Sequence, residues 1–202
     1  MSGEPARVLV VCTGNVCRSP LAEALLRARL ADAGIGPDQV LVESAGVRAL
    51  VGASMTAEAA SELAGVGVAP GSDPVFRSRQ LAADAVRSAD LVLTAQRHHR
   101  SAVVQLAPAA VRRTYTVREL ARLLDGADLS DLPADPADRL RALPAVANRR
   151  KGLGGPVPTE DDDVRDPYGG TGADYAATTA QIVPAVQALV AALTCAGHGT
   201  RR

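Results

Sequence analysis

Short runs rich in Val, Leu and other β-formers alternate along this chain with longer Ala- and Leu-rich stretches, and that alternation constrains the fold more than any other feature. RVLVV (7–11) reads as a first strand, and a helix is predicted from Pro20 to about Asp32, with Pro20 in the first turn where its missing N–H costs nothing. QVLVESA (39–45) is a second strand, TAEAASELAG (56–65) a helix ended by Gly65, and ADLVLTA (89–95) a third strand. A helix over about 97–107, a fourth strand near RRTYT (112–116) and a helix over VRELARLLDG (117–126) follow, and a long helix from about Asp174 to Thr194 closes the pattern. Strands alternating with helices give a three-layer α/β domain: a four-stranded parallel sheet with helices on both faces. Between 126 and 160 the pattern loosens into one more short helical segment and a Gly/Pro-rich, then acidic, connection. There is no internal repeat and no convincing linker, and 202 residues are most simply one domain.

Composition narrows the function classes. The chain has no Trp, one Phe and three Tyr, so the core must be built from Ala, Val and Leu. Lys plus Arg equals Asp plus Glu at 22 each, and no global field points to nucleic acid or an anionic membrane. RHHR (97–100) and NRRK (148–151) read as solvated surface. The acidic run EDDD (160–163) has no His or Cys beside it, so it reads as solvated charge rather than a metal site. The start of the chain lacks a basic leader and no stretch approaches the ~20 apolar residues that span a bilayer, so no membrane insertion is expected. Three cysteines do not suggest a disulfide framework, and the expected location is the reducing cytoplasm. Cys195 is expected to be a bystander at the end of the last helix, and His98 and His99 have no recognisable partner.

The informative stretch is CTGNVCRSP (12–20), between the first strand and the first helix. Five residues separate Cys12 from Arg18, a C-x5-R spacing that is weak alone but gains from its position. Ligands bind at the C-terminal ends of strands in open α/β sheets, and the N–H groups of a following helix make an anion site suited to a tetrahedral dianion. Arg18 adds a planar fork able to take two phosphate oxygens. Cys12 would sit at the base of this phosphate-binding loop, where the donors that hold phosphate also stabilise a thiolate placed for in-line attack on phosphorus. Gly14 and Asn15 tolerate the left-handed backbone that a tight cradle needs, and Ser19 can bring a hydroxyl to the thiolate.

CTGNVCRSP resembles the signature loop of the low-molecular-weight protein tyrosine phosphatases. Other matches are SAGVRALVG (44–52), SRQL (78–81), the A-D-L strand at 89–91 and RDPYGG (165–170). The resemblance covers about 7–125 and 160–193, and the stretch of about 126–160 reads as an insertion. It implies hydrolysis of phosphotyrosine through a phosphocysteine on Cys12, with Arg18 holding the phosphoryl oxygens and Asp166 as general acid. Chemistry independently asks for a carboxylic acid to protonate the leaving phenolate, and Pro167 keeps Asp166 on an extended loop. Thr13, Gly14, Asn15, Val16, Cys17 and Ser19, with Leu50 and Tyr168 on the walls, are the candidate substrate-binding residues. No metal or cofactor is implied.

Departures carry information too. Leu50 stands where mammalian members have a Trp, and ALVG is similar to bacterial phosphatases acting on tyrosine kinases of polysaccharide export, which makes such a kinase the implied partner. Gly169 replaces a second aromatic, giving a shallower pocket. Phe76 stands where a His is often found, so a hydrogen bond to the loop is expected to be lost. Val16 stands where bacterial phosphoarginine phosphatases have a Thr. Arsenate reduction coupled to a low-molecular-weight thiol is the rival chemistry, because arsenate mimics phosphate; the version using a further cysteine pair finds none between Cys17 and Cys195. A non-catalytic phosphate-binding module is disfavoured by the joint presence of Cys12, Arg18 and Asp166. Cys17 either packs beneath the loop or forms a protective disulfide with Cys12.

Overall fold

The computed structural model describes residues 3–68, 76–153, 155 and 157–194; Cys195 lies outside the described residues. Strands β1 (Ala6–Cys12), β2 (Val40–Gly46), β3 (Leu91–Thr94) and β4 (Thr114–Thr116) form a sheet in the order β2-β1-β3-β4, with every neighbouring pair parallel. Around it lie α1 (Arg18–Asp32), α2 (Ala57–Gly65), α3 (Ala83–Ser88), α4 (Arg97–Leu106), α5 (Val117–Leu124), α6 (Pro136–Arg150), the single turn α7 (Thr159–Asp162) and α8 (Gly172–Thr194).

The alternation of side chains along β1 builds two cores. Val8, Val10 and Cys12 join one, with Leu25 of α1, Leu120 of α5, Leu140 of α6 and Ile182 of α8. Leu9 and Val11 join the other, with Val86 of α3 and Val103 of α4. Helices therefore cover both faces, as the alternating pattern predicts, and β1 is apolar from Val8 onward because both its faces are buried there. Its neighbours are β2 on one side and β3 on the other, so the loop leaving its C-terminal end opens where the chain's winding reverses, the usual ligand position in such sheets.

Several expectations need correction. The first helix starts at Arg18 rather than Pro20, which places Arg18 and Ser19 inside its first turn. The six-residue α3 and a 3₁₀ turn at Pro108–Arg113 were not expected; both are too short to show a period in sequence. The segment α6 is not short: Asp135 accepts a hydrogen bond from the Asp138 N–H, Pro136 starts the helix, and it runs for 15 residues through Pro144. Lys151, in the patch NRRK, is not simply solvated: its ammonium lies 4.3 Å from the centre of the Tyr115 ring and 3.3 Å from Glu119. In EDDD, Asp162 is buried and its carboxylate takes Arg97 at 2.9 Å and Arg122 at 3.1 Å. By length and composition α8 is apolar enough to cross a membrane, against the sequence expectation; here 44% of its most apolar window is buried, with Ile182, Val186, Leu189 and Leu193 in the core.

Candidate active site

Residues 13–17 connect β1 to α1, and their backbone is held from outside. The Val47 N–H donates to the Cys12 carbonyl (2.9 Å), Arg48 to Thr13 (3.0 Å), Leu50 to Gly14 (3.0 Å) and Thr56 to Val16 (2.9 Å). The Ser78 hydroxyl adds a second bond to the Gly14 carbonyl at 3.0 Å. In a trans peptide the carbonyl and the next N–H point in opposite directions. Pinning the carbonyls of 12, 13, 14 and 16 outward therefore turns the N–H groups of 13, 14, 15 and 17 inward, beside the unpaired N–H groups of the first turn of α1. The Asn15 N–H shows the result: it lies 3.3 Å from Cys12 Sγ. Gly46 permits the close packing of β2's end on this loop, since a Cβ there would stand 2.5 Å from the Thr13 carbonyl oxygen.

Asn15 makes the turn with φ of 54°, the sole positive-φ residue other than glycine among the described residues. Gly14 does not share the left-handed conformation expected of it. A Cβ on Gly14 would make only ordinary contacts, 3.5 Å from Val16 Cγ2 and 3.9 Å from Leu50 Cγ, both of which line the cleft with it. The Asn15 amide nitrogen donates to Ser19 Oγ (2.9 Å) and Ser44 Oγ (2.8 Å), while its oxygen accepts the Arg79 N–H (2.9 Å). Ser44 in turn donates to the Glu23 carboxylate. With its oxygen accepting from Asn15, Ser19 has its proton free for Cys12 Sγ, 2.9 Å away. Two donors thus converge on the sulfur. Asn15 and Ser19, expected to bind substrate, lie behind the loop instead, at 0% and 1% exposure, and shape the nucleophile's surroundings.

Arg18 is buried, and its guanidinium is spread over four acceptors. Nη1 donates to Gln96 Oε1 (2.8 Å) and the Val164 carbonyl (3.4 Å); Nη2 donates to Thr13 Oγ1 (3.4 Å) and Asp166 Oδ2 (2.6 Å). Its Nε is buried without a protein partner, an N–H donor suited to an anion's oxygen. Asp166 is 47% exposed at its side chain and reaches Arg18 from the loop between α7 and α8. The structure thus brings Cys12, Arg18 and Asp166 into one cleft of about 260 Å³, lined also by Thr13, Gly14, Val16, Cys17, Leu50 and Tyr168. Tyr168 and Leu50 stand exposed on its walls at 62% and 45%. Cys17 borders the cleft with a buried thiol, 3.5 Å from the Tyr175 hydroxyl and 3.6 Å from Thr56 Oγ1, and burial raises its pKa.

A family profile described as "Low molecular weight phosphotyrosine protein phosphatase" matches residues 7–142. The chain belongs to this phosphatase family. Among curated relatives, a protein-arginine-phosphatase of Geobacillus stearothermophilus is 34% identical over 138 residues, 68% of this chain and 86% of the relative. The low molecular weight protein-tyrosine-phosphatase Etp of Escherichia coli is 43% identical over 101 residues, half of this chain; the match spans 62% of Etp's length. The solved low molecular weight protein tyrosine phosphatase from T. tengcongensis superposes with a TM-score of 0.65 and 26% identity, covering 92% of this chain and 97% of the other. These similarities agree with the parallel sheet and with a loop after its first strand.

Several further residues lie around the cleft of this member of the phosphatase family without a clear signal in its sequence. Arg48 lines it beside Leu50. Gln96 holds Arg18 from the turn after β3, a position whose location at a strand's C-terminal end was the available signal. His99, assigned no partner and placed in a solvated patch, is fully buried, with Nε2 2.8 Å from Thr13 Oγ1. In RHHR only His98 is exposed; Arg97 bonds Asp162, and Arg100 donates to the Thr114 carbonyl. Ser78 and Arg79 supply loop contacts two and three residues after Phe76, so that segment still bonds the loop.

Proposed function

We propose that this chain is a protein tyrosine phosphatase that hydrolyses phosphotyrosine through a phosphocysteine intermediate. The observation that carries the reading is the convergence on one cleft of a sulfur receiving two hydrogen bonds, an arginine with an unpaired buried Nε, and a carboxylate 2.6 Å from that arginine. In this reading Cys12 Sγ attacks phosphorus, forming the S–P bond as the phosphorus–phenol oxygen bond breaks. Inward N–H groups and Arg18 stabilise the equatorial oxygens. A phosphoryl group on Arg18 competes with Asp166 for Nη2; released from the arginine, the half-exposed carboxylate takes up a proton from solvent and passes it to the phenol oxygen as the P–O bond breaks. Asp166 then takes a proton from the water that splits the phosphocysteine, and inorganic phosphate leaves.

Phosphoarginine is the second reading, motivated by the 34% identical protein-arginine-phosphatase. Val16 argues against it: this cleft-lining residue offers methyl groups where a guanidino substrate would need a hydroxyl. The wall formed by Leu50 and Tyr168 suits a phenyl ring. Phosphotyrosine in a protein, such as a bacterial tyrosine kinase of polysaccharide export, is the substrate class we infer from ALVG and this wall, and the reducing cytoplasm is the compartment that suits its free nucleophilic thiol.

The test is phosphate release from p-nitrophenyl phosphate, a phosphotyrosine peptide and a phosphoarginine peptide, with thiol-dependent arsenate reduction in parallel. Turnover of both phenolic esters, abolished in Cys12→Ser, is the expected result. Asp166→Asn should slow the phosphotyrosine peptide about a hundredfold and the p-nitrophenyl ester much less, because p-nitrophenolate leaves without a proton. Preferred turnover of phosphoarginine, or arsenate reduction without phosphate release, would replace this reading.

A further inference from the structure

His99 sits in the first turn of α4 with no exposed surface, yet its ring reaches the phosphate-binding loop. Nε2 lies 2.8 Å from Thr13 Oγ1, and the same oxygen lies 3.4 Å from Arg18 Nη2. Burial first, then the neighbouring His98 and the cations Arg18 and Arg48, lower the His99 pKa to about 3, so near neutral pH the imidazole is uncharged and carries one N–H. An arginine N–H can only donate, which makes Thr13 Oγ1 an acceptor from Arg18.

Two tautomers remain. With the proton on Nδ1, Nε2 would take the Thr13 hydroxyl proton, and the Nδ1–H would be a buried donor without an acceptor, because Nδ1 has no protein partner. With the proton on Nε2, His99 donates to Thr13 Oγ1 and only a lone pair on Nδ1 goes unused. Orphaned buried N–H groups are rarer than under-used acceptors, which favours the second arrangement. Thr13 Oγ1 then accepts from both His99 and Arg18, and its own proton is left to point into the cleft that Thr13 lines.

We propose that His99 is a positioning residue: it holds Thr13 Oγ1 as a double acceptor and so turns the Thr13 hydroxyl into an extra donor to a phosphoryl oxygen. This rests on the phosphatase reading of the same loop. The hydrogen bond at stake goes to a charged oxygen, so its loss is expected to weaken oxyanion binding about tenfold.

The experiment is a double-mutant cycle of Thr13→Val and His99→Phe, with His99→Gln, whose amide can still donate, as the conservative variant. It is read in two ways: protection of Cys12 from iodoacetamide by inorganic phosphate, and kcat and KM on p-nitrophenyl phosphate. Each single variant should weaken phosphate protection about tenfold, the double variant no further, and His99→Gln should restore most of it. Unchanged phosphate affinity in Thr13→Val, a nearly isosteric variant that removes only the hydroxyl and leaves every α4 side chain in place, would overturn the proposal even if His99→Phe misfolds. Losses that multiply in the double variant would also overturn it. The protection assay needs no turnover, so a wild type that binds phosphate without hydrolysing esters would count against the phosphatase reading alone and leave the cycle readable.

Discussion

Asn15 both turns the loop and ties it to its surroundings. It supplies the left-handed turn, and it fills three buried hydrogen-bonding roles at once, to Ser19, Ser44 and the Arg79 N–H. Substitution by alanine would strand those three groups and remove the polar side chain that lets asparagine adopt the left-handed region, a conformation costing other L-residues roughly 1–2 kcal/mol. Buried polar groups left without partners add about 1–3 kcal/mol each, though water recovers part of this. Asn15→Ala should therefore lose about 3 kcal/mol in urea unfolding and most of its phosphatase activity. Asn15→Gly separates the causes: it keeps the backbone conformation at no steric cost but makes none of the bonds. Wild-type stability in the glycine variant would show that conformation, not hydrogen bonding, is what Asn15 provides.

At the scale of elements, the strand, loop and first helix around Cys12 were legible because they are contiguous: an apolar run, a Gly-Asn turn and a first-turn proline all act locally. Asp166 was legible through the resemblance and the need for a proton donor. The segment that holds it was not, because its partners are distant in sequence. Asp162 takes Arg97 and Arg122, the Asp162 carbonyl accepts the Thr116 hydroxyl at 2.6 Å, and the Val164 N–H reaches the Ala95 carbonyl at 2.7 Å. Charge runs such as EDDD and RHHR read as solvated in sequence, since no local pattern says which member will meet a partner 40 or 65 residues away. His99 left one faint trace, its i,i+4 spacing from the buried Val103. Fastened from α4, α5 and β4, the segment presents Asp166 to a loop that is held independently. Asp162→Asn should thus cost about 2 kcal/mol, less than a fully buried pair because both arginines are about 40% exposed. It should lower kcat more than it raises the inhibition constant for vanadate; equal losses in both would mean that the segment supports the loop itself.

Across the whole molecule, the uncharged imidazole at the junction of α4 and the loop links folding to pH. The unfolded His99 titrates near 6.5 and the folded one at about 3. Between those values the unfolded chain binds a proton that the folded chain does not, so folding is penalised as pH falls, and the penalty is absent above 6.5. The groups facing the ring that oppose its protonation are all cations or potential cations: His98 at 3.9 Å between ring centres, then Arg18 and Arg48. Each pH unit inside the window costs about 1.4 kcal/mol. Moving from pH 7 to pH 5 should therefore remove about 2 kcal/mol of stability from the wild type beyond what His99→Gln loses, because carboxylate titrations contribute equally to both chains and cancel in the difference. Urea unfolding of the two proteins at both pH values measures that difference directly. Parallel losses would mean that the folded chain protonates His99 as readily as the unfolded one, and that the neutral ring on which the Thr13 contact depends is not maintained.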